Sequence, residues 1–276
     1  MISLSYLTVN GARPLEHIEA AAAGGFDAAD IRILAPTHIP IRQRVIGNDP
    51  LISELKRLKQ RHGVSIASVE SVTLKPGTKI GSLEPALETA AELGARNILT
   101  IIENLQASEA GDQFAALCEM GKSYGLRMAL EFMAFRSVNT LDVAAKIVAD
   151  YGGGNAGVLI DAMHLFWTGG TAQQVAALAP DQIAYVQLCD AQLHAPPVKD
   201  QVNFARSGRL YLGKGELPLS DLLDALPPQT PLSVEIPYRA HARRSVIERA
   251  MLVGTATRHF LAEYRQRRQV DAAEAS

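Results

Sequence analysis

Short apolar runs alternate with longer amphipathic stretches along the whole chain. The runs fall at 2–9, 26–33, 64–71, 96–102, 126–131, 156–161, 183–188 and 232–236. Each has the length and apolar character of a buried strand. Between them lie helical patterns: PLEHIEAAAAG, PLISELKRLKQRHG, LEPALETAAELG, DQFAALCEMGKSYG, TLDVAAKIVADYG, TAQQVAALAP and LPLSDLLDALP, with RRSVIERAMLVGTATRHFLAEYRQ after the eighth run. Several end in glycine, the residue suited to a left-handed C-cap, and two open with proline at the first turn. Strand and helix alternate at about 30 residues per unit, which predicts parallel strands joined by helical crossovers.

Eight such units in 276 residues match a single (β/α)8 TIM barrel over 1–268, with 269–276 expected as a flexible C-terminal tail. A doubly wound open sheet is the rival. It calls for a glycine-rich phosphate turn after the first strand, and LTVNGARP is not G-x-G-x-x-G. The glycines between Tyr151 and Asn155 precede a strand and read as a helix stop. No cofactor-binding residues for a dinucleotide are therefore assigned.

Composition narrows the setting. A chain of 29.7 kDa buries roughly 70–75% of its unfolded surface and needs no disulfide. Its two cysteines, Cys118 and Cys189, read as unpaired thiols, which with the absence of a leader pattern in MISLSYLTVNGARP points to a cytoplasmic setting. No apolar run approaches the roughly 18 residues of a membrane span. Lys plus Arg number 27 against 29 Asp plus Glu, a net charge of -2, which speaks against nucleic acid as a partner. The clusters RRS and EYRQRRQ read as solvated helix faces. A small-molecule substrate, no membrane, and room for a homo-oligomer complete the expected partners.

Four polar residues break the pattern at the carboxyl ends of late strands. Glu131 closes LRMALE, Asp161 closes AGVLID, Gln187 lies in IAYVQLCD and Glu235 in LSVEIP. Each alone reads equally well as a helix cap or an ion-pair partner. Together they converge on the mouth of a barrel, the end where such folds build their sites, and buried carboxylates demand compensation. One divalent ion supplies it. Carboxylate and amide oxygens suit Mn²⁺, Mg²⁺ or Co²⁺, and Zn²⁺ less well, since zinc more often takes His or Cys. His164, three residues past Asp161, is a candidate acid/base group, its alternative being a satisfied core histidine. Arg32, Glu70, Asp190 and Arg206 are candidate substrate-binding residues. Arg206 lies in the segment 190–218, which is long for a connection and reads as a lid. Solvated surface is the alternative for it.

These residues resemble the xylose-isomerase-like barrels of the sugar phosphate isomerase/epimerase superfamily. Its members carry a glutamate after strand five (here Glu131 in ALEFM), D-x-x-H after strand six (Asp161 to His164), usually a histidine after strand seven, and a glutamate after strand eight (Glu235 in SVEIP). The chain departs at strand seven with Gln187. A Glu, Asp, Gln, Glu set is similar to bacterial 3-dehydroshikimate dehydratases, as is the spacing of 30, 26 and 48 residues (131 to 161, 161 to 187, 187 to 235). The resemblance implies a metal-dependent isomerase or epimerase acting on a polyhydroxylated ketone through α-proton abstraction and a metal-stabilised enediolate. Glu131, Glu235 and His164 would be the catalytic groups. The alternative is a 3-dehydroshikimate dehydratase-like lyase on a keto acid. A noncatalytic small-molecule binding protein with a vestigial site is the reading from another class. Endonuclease-type relatives, with more histidines and a basic DNA face, fit poorly.

Overall fold

A computed structural model describes residues 1–34 and 42–274. The apolar runs become eight strands: β1 (Ile2–Ser5), β2 (Ala28–Arg32), β3 (Ser65–Leu74), β4 (Asn97–Ile102), β5 (Arg127–Glu131), β6 (Ala156–Asp161), β7 (Ile183–Leu188) and β8 (Leu232–Val234). All neighbours pair in parallel, and β8 closes onto β1 through Ile2 opposite Leu232. The molecule is the (β/α)8 barrel that the spacing predicts.

Ten helices are assigned among the described residues: α1 (Pro14–Gly24), α2 (Asp49–His62), α3 (Glu84–Glu92), α4 (Ala107–Ser123), α5 (Leu141–Tyr151), α6 (Ala162–Trp167), α7 (Ala172–Ala176), α8 (Val198–Ser207), α9 (Leu219–Ala225) and α10 (Val246–Glu274). The main apolar core lies between the strands and this outer ring. It closes where α10 packs along α1. There Gly24 and Gly254 let the backbones touch, since a Cβ on Gly254 would collide with the Gly24 carbonyl.

The differences from the sequence reading are local. The first strand stops at Ser5, and residues 6–9 wind into a 3-10 turn. The third strand runs on to Leu74. Two helices were not expected. α6 follows β6 without a break, so AMHLFW shows no separate period. α8 lies inside the segment read as a lid loop, where polar VKDQVNFARS carries few apolar markers. Residues 269–274 of the expected tail continue α10, in keeping with their Gln, Ala and Glu content. Residues 275–276 lie outside the described residues.

Strand phase places the site. Ala129 and Glu131, Leu159 and Asp161, and Tyr185 and Gln187 are each two residues apart, so each pair shares a strand face. Leu99, Ala129, Leu159, Ala184 and Tyr185 form a separate apolar cluster beneath the polar groups. The register sets Asp161 directly opposite Gln187, and Arg32 opposite Glu70.

Candidate metal centre

Each proposed ligand lies within one residue of the end of an apolar strand. Glu131 and Asp161 are the last residues of β5 and β6, Gln187 is next to last in β7, and Glu235 follows β8. Asp161 also caps α6, its Oδ1 accepting the backbone N–H of His164 at 3.1 Å. This cap fixes His164 on the first helical turn. Glu131, Asp161 and His164 each present a ligand atom, and the three lie within 4.8 Å of one another. Gln187 Nε2 donates to Glu235 Oε1 at 3.2 Å, which leaves Gln187 Oε1 buried without a partner. Ser5 Oγ reaches Glu235 Oε1 at 2.7 Å and Glu70 Oε1 at 3.0 Å, tying the first strand to the last.

Arg209 is the dominant cation of the site. It is fully buried, its Nη1 pairs with Asp161 Oδ2, and its Nη2 lies 2.8 Å from Glu235 Oε2. Its Nε donates to the Ala205 carbonyl of α8 at 3.0 Å. A second buried pair joins Arg32 Nη2 to Glu70 Oε2 at 3.3 Å, while Arg32 Nε and Nη1 have no partner.

Burial dominates the protonation states. It raises Glu131 well above the ordinary carboxylate range, helped by the facing charges of Glu235 and Asp161. It raises Glu70 to about 8 against the pull of Arg32, and raises Glu235 against the pull of Arg209. Burial opposes ionisation of Asp161 too, but Arg209 and His164 outweigh it and the carboxyl is lowered. Burial pushes His164 down to about 4, so its ring is neutral.

The buried set therefore fits a divalent cation. Four carboxylates (Glu70, Glu131, Asp161, Glu235) face two guanidiniums (Arg32, Arg209), a deficit of two positive charges when all are ionised. An orphaned amide oxygen stands beside them. Oxygen donors of this kind are what hard divalent ions take. Glu131, Asp161, Gln187 and Glu235 would hold the ion, with His164 close by.

A cavity of about 100 Å³ opens above these groups, walled in part by Arg32, Glu70, Glu131, His164, Arg206 and Glu235. Arg206 sits exposed at its rim, on the last turn of α8. Asp190 is not in this wall. Its Oδ1 accepts the backbone N–H of Ala191 at 2.8 Å and of Leu217 at 3.1 Å, holding the segment after β7 in place. Trp167 also stays outside the wall, donating its indole N–H to the Gln192 carbonyl and packing on Phe204 of α8, ring centres 5.1 Å apart. Phe135 meets His164 edge-on at 5.3 Å.

Sequence reasoning passed over Arg209 and Ser5; at the rim, Arg136 pairs with Glu103. Gly208 and Leu210 make isolated bridges to Tyr238 and Asp190, and Arg209 between them is buried.

Fold and site together make a (β/α)8 barrel with a candidate divalent-metal site at its mouth. Residues 18–257 match the xylose isomerase-like TIM barrel family, and the chain belongs to it. Two curated relatives are similar in sequence. One, a 3-dehydroshikimate dehydratase of Pseudomonas aeruginosa, is 27% identical over 251 residues, 85% of this chain and 37% of the relative. The other, a 3-dehydroshikimate dehydratase of Pseudomonas putida, is 26% identical over 256 residues, with the same coverage of 85% and 37%. The chain thus spans well under half the length of either. Among solved structures, IOLI protein with a binding zinc atom superimposes with a TM-score of 0.78 at 18% identity, covering 95% of this chain and 98% of that one. That likeness is one of fold. No helix among the described residues is long and apolar enough to cross a membrane.

Proposed function

We propose that the chain is a divalent-metal-dependent lyase that removes water from a cyclic β-hydroxy keto acid of the 3-dehydroshikimate type. The observation that carries this reading is the buried Arg32, a wall residue of the catalytic cavity whose Nε and Nη1 have no hydrogen-bond partner. Such donors suit a carboxylate, and a neutral ketose has none to offer. Gln187 in place of histidine and the two dehydratase relatives point the same way. The isomerase or epimerase reading thereby becomes the second one, kept by the paired glutamates, which suit proton transfer on two faces of a ketone.

A bound divalent ion would supply an electrophile for the substrate carbonyl and stabilise negative charge developing on its oxygen. The chain's own groups do the rest. Arg32 takes the carboxylate and sets the ring's orientation. Glu131, poised by burial beside Glu235 and Asp161, takes the proton from the carbon next to the carbonyl. His164 is neutral, and the Ala134 N–H approaches its Nδ1 at 3.5 Å, which puts the ring hydrogen on Nε2. From there it donates a hydrogen bond to the departing β-hydroxyl, which leaves with the proton that Glu131 has taken. One C–H and one C–O bond break, a C=C bond forms, and water leaves.

The test incubates the metal-loaded protein in D₂O with 3-dehydroshikimate and, separately, with ketoses and inososes. A new conjugated absorbance with 3-dehydroshikimate is expected. Exchange of an α-hydrogen without loss of water, on a ketose or inosose alone, would replace the lyase reading by the isomerase one.

A further inference from the structure

A second cavity, of about 220 Å³, adjoins the catalytic one and shares Leu7 and Arg206 with it. Its walls come from the turn after β1, the end of α8, the stretch after β8 and the start of α10. Arg206, Arg239, His241 and Arg249 line it, and no aspartate or glutamate does. None of the three arginines makes an ion pair among the described residues, where the arginine pairs belong to Arg13, Arg32, Arg136, Arg209 and Arg268. In a chain of net charge -2, three unpaired guanidiniums around one hollow are a local excess of positive charge without a counter-charge.

Two of the arginines are held rather than loose. Arg249 Nη2 donates to the Asn10 carbonyl at 3.1 Å, and its Nε is buried with no partner. Arg239 Nη2 donates to Ser207 Oγ at 3.0 Å. His241 Nδ1 meets the Tyr211 hydroxyl at 2.7 Å, and its ring packs against Tyr238 with centres 5.0 Å apart. Donors fixed around a hollow, one of them buried and unsatisfied, make a site for an oxyanion.

We infer that this cavity binds a phosphate- or carboxylate-class anion through Arg239, Arg249 and Arg206. It is distinct from the carboxylate position at Arg32 and goes beyond the lyase reading, whose substrate carries a single carboxylate. The anion is either a free ion or the charged end of a larger ligand that enters the catalytic cavity past Arg206.

Calorimetric titration of the full chain with inorganic phosphate at low salt tests this. Saturable binding is expected, weakened roughly tenfold or more by Arg239→Gln or Arg249→Gln, in line with the loss of a charge-assisted hydrogen bond. Arg249→Lys should recover part of it. Arg239 is exposed, so its replacement leaves the fold intact and keeps the test valid if Arg249→Gln unfolds. Arg32→Met should leave phosphate binding unchanged. Titrating a sugar phosphate beside inorganic phosphate separates the two sources: tighter binding assigns the site to a ligand's tail, equal binding to a free ion, and both support the site. Absence of saturable binding overturns the inference. So does equal affinity in wild type and Arg239→Gln, or loss of binding in Arg32→Met. The absorbance assay for the lyase needs no phosphate, so failure of one reading leaves the other standing.

Discussion

Two polar layers fill the barrel, and they are finished differently. At the base, Asp30 accepts Ser3 Oγ at 2.6 Å, Ser233 Oγ at 2.6 Å and Ser68 Oγ at 3.0 Å. The space left there is about 10 Å³. At the mouth, equally buried groups leave Gln187 Oε1, Arg32 Nε and Arg32 Nη1 unsatisfied around a cavity of about 100 Å³. A layer whose carboxylate is saturated by three hydroxyls, with only the Tyr185 hydroxyl left over, holds strands in register. A layer with open valences is built for something that arrives from outside. Both layers use carboxylates on strands, so residue type alone does not separate structure from function. Completeness of partnering does.

The largest expected effect separates the layers by activity. Glu131→Gln should lower kcat by roughly 10²–10⁴ with a small change in KM, since proton transfer belongs to the transition state. Asp30→Asn, an equally buried carboxylate, should leave kcat within a few-fold of wild type. Steady-state kinetics on 3-dehydroshikimate decides, and equal losses in the two variants would erase the distinction drawn above.

A smaller effect concerns binding. Arg32→Met should raise KM for an acidic substrate roughly tenfold or more while kcat changes little, since its contact serves ground and transition state alike. An unchanged KM across every acidic substrate that turns over would remove Arg32 from the site.

The smallest effect is on stability against pH, because two buried groups oppose each other. Burial raises Asp30 from 3.8 to about 6. Its contribution is present below pH 3.8 and lost as pH rises through 6, about 3 kcal/mol over that window. Burial lowers His17 from 6.5 to about 4. Its contribution is present above pH 6.5 and lost as pH falls through 4, again about 3 kcal/mol. Denaturant melts of wild type should therefore show a shallow profile between pH 4 and 6.5 from this pair. Asp30→Asn should expose an acid-side decline, and a flat profile in that variant would count against the His17 contribution.

The sequence made the scaffold and the four mouth residues legible for one reason: Glu131, Asp161, Gln187 and Glu235 interrupt or close runs that are otherwise mostly apolar. A polar residue is conspicuous against such a background. Ser5 is small and polar in a run that already holds Ser3 and Thr8, so its link to Glu235 is invisible without the closure of β1 on β8. Arg209 was hidden by its surroundings. It follows a helix that lacks an apolar stripe, and Arg206, three residues earlier, looks the same in sequence. The helix ends before Gly208, with one arginine on its last turn at the rim and the other just past it in the core. Asp190 shows the converse: an acid next to the mouth whose hydrogen bonds are spent on the backbone.

The hydroxyl of Ser5 on β1 bonded to Glu235 just beyond β8 has a consequence for biosynthesis. The sheet has two open edges until the eighth strand emerges, and exposed edges are where chains pair wrongly. Glu131 and Asp161 are translated more than 70 residues before Glu235 (235 − 161 = 74), and Asp161 lacks Arg209 for most of that interval. Contacts of such wide sequence separation form late and slowly. A nascent barrel that stops short of β8 thus lacks both the Ser5–Glu235 bond and one acid of its mouth, and ring closure completes the fold and the acid set in one event.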